Sequence, residues 1–209
     1  MQTDKIQVGS DTTDMNRAMK ESERFARYFQ LSEQSSLRLQ LLTEELLALP
    51  RAIVGEFYAD FWLESTKSHT CQLHLDLMAD MDYVKKHEMI HASTSRKNAA
   101  SQGFLGALRE MVEDALFLPS AGDQWQSGTS ANSLVFYGAN RTQVDISWTL
   151  SQYRAELEDA KENDDTLEAA WNELKKSMLA KIADDVQIFV NGNQVHLVVR
   201  KAFPEMKIR

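Results

Sequence analysis

A chain of 209 residues with 43% hydrophobic content is long enough to bury one substantial core, and 26% charged residues with only 3 prolines and 8 glycines exclude disordered, collagen-like and low-complexity classes. A net charge of −8 repels phosphate backbones and anionic lipid, which argues against nucleic acid and membrane surfaces as partners. The lone Cys71 offers no intramolecular disulfide, Met1-Gln2-Thr3-Asp4-Lys5 has no apolar signal core, and no apolar run approaches the roughly 18–20 residues of a membrane helix, so the expectation is a soluble cytoplasmic protein.

Lys5 to Gly9 reads as a short strand, followed by Ser10-Asp11-Thr12-Thr13-Asp14, whose side chains can cap the free amides of a helix start. Met15, Ala18, Met19, Ser22, Phe25, Ala26 and Phe29 then share one helical stripe. A second helix begins near Ser32 and runs through Leu37, Leu41, Leu42, Leu46 and Leu49 toward Pro50, where a lost amide and a ring clash should end or kink it. At 100° per residue, Leu37, Leu41, Glu44 and Ala48 fall on one stripe, so Glu44 is expected to point toward an apolar surface.

Phe57 to Glu64 and Thr70 to Met78 read as two strands joined by a polar turn. In the second, Cys71, Leu73, Leu75 and Leu77 alternate with Gln72, His74 and Asp76, the pattern of a sheet covered on one side. Asp80 to His91 and Gly103 to Leu118 have helical periodicity, with the small polar segment Ser93 to Gln102 between them. Pro119 to Val144 is rich in Gly, Ser, Thr and Asn, which predicts a long surface excursion with a short strand at Leu134 to Tyr137.

Ile146, Leu150, Tyr153, Leu157 and Ala160 form one helical stripe, and Leu167, Ala170, Trp171, Leu174, Met178 and Ile182 form another, which predicts a helical hairpin. Val186, Ile188 and Val190, the turn Asn191-Gly192, and Val195, Leu197 and Val199 give a closing β-hairpin. The prediction is an α+β fold: a two-layer α/β sandwich with a mostly antiparallel mixed sheet and helices on one face. A single domain spans residues 1–209, with an irregular insertion at about 119–144 and a helical hairpin at about 145–183.

Leu41-Leu42-Thr43-Glu44-Glu45-Leu46-Leu47-Ala48 resembles the helix that in GHKL (histidine-kinase-like) ATPases carries a Glu general base and, four residues on, a Mg-binding Asn. Ile182-Ala183-Asp184-Asp185-Val186-Gln187-Ile188, with Gly192, Val195 and Leu197, is similar to the end of the anti-sigma-factor serine kinases of that superfamily. Gln102-Gly103-Phe104-Leu105-Gly106-Ala107-Leu108 resembles a weakened second glycine box. Two positions depart from the pattern: Ala48 stands where the Mg-binding Asn would, and Asp80-Met81-Asp82 lacks the glycines of the adenine-reading motif.

The resemblance implies a regulatory ATP-binding protein with a degenerate, non-catalytic site, acting through a protein partner, a second copy of the chain included. Were it active, it would be a serine/threonine kinase-like ATPase using ATP and Mg²⁺. Glu44 would then be the base, with Asp80, Lys97, Asn98, Gly103 and Gly106 facing the nucleotide. Glu44 reads equally as a core-edge carboxylate satisfied by a local donor, Ser93 to Asn98 as a solvated loop, and the two glycines as close-packing positions.

Two further readings stand beside this one. A partner-binding module without nucleotide would use the acidic helical hairpin and the long loop. His87-Glu88-Met89-Ile90-His91 matches the H-E-x-x-H of zinc peptidases, with Glu110 as a third ligand and Asp114 one turn on. Lys85 and Lys86 beside the histidines oppose a second positive charge, so no metal ligands are assigned.

Overall fold

The structure, a computed structural model, describes residues 1–54, 57–66, 69–78, 112, 135–137, 145–160, 171–172, 174–191 and 193–207. Strand β1 (Ile6–Gly9) leads into helix α1 (Thr12–Tyr28), whose start is fixed by Asp11: its extended backbone leaves the helix and its carboxylate accepts the Asp14 N–H at 2.8 Å. Ala18, Ser22, Phe25 and Ala26 form the buried stripe, as the spacing predicts. The helix closes beyond Tyr28 with Gln30 at a left-handed φ of 53°, and the Leu31 N–H turns back to Ala26 O.

Helix α2 (Glu33–Val54) continues past Pro50 rather than stopping there. The two helices meet through a polar contact inside the core, where Ser22 Oγ lies 2.6 Å from Thr43 Oγ1. Thr43 also donates to Leu39 O, so neither buried hydroxyl is left without a partner.

Strands β2 (Tyr58–Ser65) and β3 (Thr70–Met78) form the first hairpin. The later strands are β4 (Val135–Tyr137), β5 (Asp145–Thr149), β6 (Asp185–Asn191) and β7 (Gln194–Ala202), with helix α3 (Leu150–Ala160) between β5 and β6 and the short helix α4 (Met178–Ile182) just before β6. Together they make one seven-stranded sheet in the order β1-β2-β3-β7-β6-β5-β4. Every described ladder is antiparallel, so the α+β class holds and the sheet carries no mixed pairing among the described residues.

The joint between the two halves of the sheet is β3 against β7, paired from Thr70↔Ala202 to Met78↔Gln194. The predicted closing hairpin is present, but Asn191, expected in the turn, is the last residue of β6 and pairs with Gln194, so the strand runs one residue further than expected. The inner face carries Phe61, Leu63, Leu73, Leu75, Ile188, Leu197 and Val199, all in one buried cluster with Phe25, Leu42, Leu46, Leu150 and Leu179 from the helices.

One expectation is corrected at residues 145–149. The spacing puts Ile146 on a helical stripe, but the backbone there is strand β5, with Ile146 opposite Val190 and Trp148 opposite Ile188. Pairing with β6 supplies a full set of interstrand hydrogen bonds, and the helix begins only at Leu150. The predicted strand near Leu134 to Tyr137 is β4, at the sheet edge.

Candidate functional site

Glu44 lies on α2 but not on an apolar surface. Leu37 is 54% exposed, Leu41 38% exposed, and Glu44 and Ala48 are also exposed, so the stripe expected to be buried is the one that faces outward. The core takes Leu39, Leu42, Thr43, Leu46 and Leu49 instead. Glu45, next in sequence, is half-buried, and burial followed by repulsion from Glu44 pushes its carboxyl above the usual range.

Ala48, one turn from Glu44, offers only a methyl group. Magnesium takes oxygen ligands, so this stripe does not fit the metal that the resemblance implies. Asp80, Lys97, Asn98, Gly103 and Gly106 lie outside the described residues, as do His87, His91, Glu110 and Asp114 of the zinc reading. Among the described residues no group of three or more His, Cys, Asp or Glu could hold a metal ion. Cys71 is a free thiol in the core, and burial pushes its ionisation far up, which makes it inert.

The face of the sheet away from the helices carries a second cluster. By alternation, Trp62, His74, His196 and Val198 should face solvent, yet Trp62 is 7%, His74 8% and Val198 4% exposed. His74 stacks on Trp62 with ring centroids 4.7 Å apart, and Lys5 Nζ sits 4.1 Å from the Trp62 ring centroid on that residue. His74 Nδ1 lies 3.3 Å from His196 Nε2, a separation that holds one proton between the two rings.

The other nitrogen, His74 Nε2, is buried without a hydrogen-bond partner, and the nearest carboxylate oxygen, on Glu64, is 3.6 Å away. Burial, then the neighbouring His196, Arg200 and Lys5, holds His74 down at about 4. His196 is lowered by burial and by Lys5, while Asp76 pulls the other way. Both rings are therefore neutral at physiological pH.

Beside this cluster an open cavity of about 370 Å³ is lined by Gln7, Tyr58, Asp60, Asp76, Met78 and Gln194. Asp60 and Asp76 are direct cross-strand neighbours, an arrangement that costs stability unless a donor intervenes. Gln194 Nε2 supplies one, donating to the two Asp76 oxygens at 2.9 and 3.1 Å. Tyr58 is 86% and Met78 58% exposed at the rim.

Sequence reasoning placed His74 and Asp76 on the outward face but did not join them to Trp62, Lys5 or His196. The usable signal was an aromatic residue and two histidines at outward positions of strands, where small polar residues are the rule. Among the described residues no helix is long and apolar enough to cross a membrane. Comparison with models of known protein families, with curated proteins and with solved structures gave no match.

Proposed function

We propose that the chain is a cytoplasmic regulatory protein of GHKL-like architecture that binds ATP without transferring its phosphate and acts through a protein partner. The observation that supports this reading is α2. The helix packs on the inner face of a sheet closed by the β6–β7 hairpin, and it carries an exposed and a half-buried carboxylate side by side.

Bound nucleotide would supply a polyanion and a transferable phosphoryl group, and Ala48 gives no oxygen through which the protein could hold the metal that transfer requires. Glu45, half-buried beside Glu44, has its carboxyl pushed above the usual range by burial and by that neighbour. Leu37 and Leu41 add exposed apolar surface on the same helix, which supports a partner-binding role for it.

Thermal unfolding at millimolar ATP tests the reading, because a ligand that binds only the native state raises the midpoint. The midpoint should rise by a few degrees in the presence of either Mg²⁺ or a chelator. No rise in either condition would leave the partner-binding module without nucleotide as the better description.

A further inference from the structure

Residues 1–5 run along β2 beyond β1 and are held by a few backbone contacts. The Thr3 N–H donates to Leu63 O at 2.9 Å, the Leu63 N–H donates to Thr3 Oγ1 at 3.0 Å, and the Ser65 N–H donates to Met1 O at 2.7 Å. Gln2 bridges Glu64 while Ile6 pairs with Phe61, so this side carries one residue more than β2 between the two pairings. An extra residue makes a bulge, and bulges re-aim side chains. Lys5 lies on the β1 side of the extra residue, where continuing the Ile6↔Phe61 register sets it opposite Trp62, and its ammonium sits over that ring in the cluster on the face away from the helices.

We propose that the Trp62–His74–His196 cluster is a proton-operated clasp: protonation of the imidazole pair expels Lys5 from the Trp62 face and releases residues 1–5 from the edge of β2.

The gap of 3.3 Å between His74 Nδ1 and His196 Nε2 accommodates one hydrogen. The neutral pair already carries two ring protons, one of them in this gap, so a further proton must go to an outer nitrogen, and the new cation lies among fixed charges. From the segment before β1 it faces Lys5; from β2, Asp60 and Glu64; from β3, Asp76; from β7, Arg200; and from β6, Asp185, which pairs with Arg200 in register. The carboxylates of Glu64 and Asp76 favour the charged rings, whereas Lys5 and Arg200 oppose them.

Burial adds to the opposition, which is why His74 is held at about 4. Of the two opposing cations, Arg200 is fixed within the β3–β7–β6 ladders and Lys5 is not in a ladder at all. Lys5 is the group that can leave, and residues 1–4 are the backbone that follows it.

Amide hydrogen exchange from pH 7.5 down to pH 4.5, corrected for intrinsic rates, reads the clasp directly. Protection of Leu63 and Ser65 should fall at least tenfold over this range while that of Leu75 in the sheet centre is kept. In Lys5→Met and in His74→Phe, which keeps a ring on Trp62, the fall should vanish. Unchanged protection of Leu63 and Ser65 in the wild type would mean that Glu64 captures the proton and Lys5 stays, and would overturn the clasp. So would a loss shared by Leu75, or one of equal size in both variants.

Discussion

His74 lies flat on Trp62, the planes of the two rings differing by 1°, on the side of the sheet that carries no described helix. A buried neutral imidazole has a consequence for acid stability. His74 is held at about 4 against an ordinary 6.5, so below pH 6.5 the unfolded chain binds a proton that the folded chain refuses. Stability is full above pH 6.5 and falls as the pH drops toward about 4, with His196 adding a smaller loss of the same sign. Denaturant titrations should show a loss on the order of 2–3 kcal/mol from His74 across that window. His74→Phe should flatten the dependence; an unchanged slope would show that other groups carry it.

Ser22 and Thr43 tie α1 to α2 by a hydroxyl pair buried in otherwise apolar packing. Each hydroxyl also has a backbone carbonyl four residues back, Ala18 O for Ser22 and Leu39 O for Thr43. Removing one partner therefore strands nothing. Ser22→Ala and Thr43→Val should each cost about 1 kcal/mol in urea unfolding, and the double variant should cost measurably less than the sum. Additive losses would mean that the 2.6 Å contact contributes nothing.

Asp11 is the single side chain capping α1, through the Asp14 N–H. Asp11→Ala should lower stability by about 1 kcal/mol and Asp11→Asn by much less, because the amide oxygen can accept the same bond. Equal losses in the two variants would point to charge rather than to the cap.

Much of this architecture is legible from residue spacing. Cys71, Leu73, Leu75 and Leu77 alternate because the helices cover one side of β3, and Ala18, Ser22, Phe25 and Ala26 recur because α1 is buried along one stripe. What misled was local ambiguity. Ile146, Leu150, Tyr153 and Leu157 fit a helical period, yet the chain changes from strand to helix between Thr149 and Leu150. On α2 leucines occupy two stripes, and the sheet and α1 decide which is buried, so Glu44 was placed on the wrong side. The His74–His196 contact joins residues 122 apart in sequence, and they meet only because β7 inserts beside β3.

Direct calorimetric titration of ATP into the protein, in magnesium and again in chelator, bears on the functional reading most closely. Saturable binding at one nucleotide per chain, of similar affinity in both conditions and with no phosphate transferred, is the predicted result. Absence of saturable heat, or binding that is lost when the metal is removed, would contradict it.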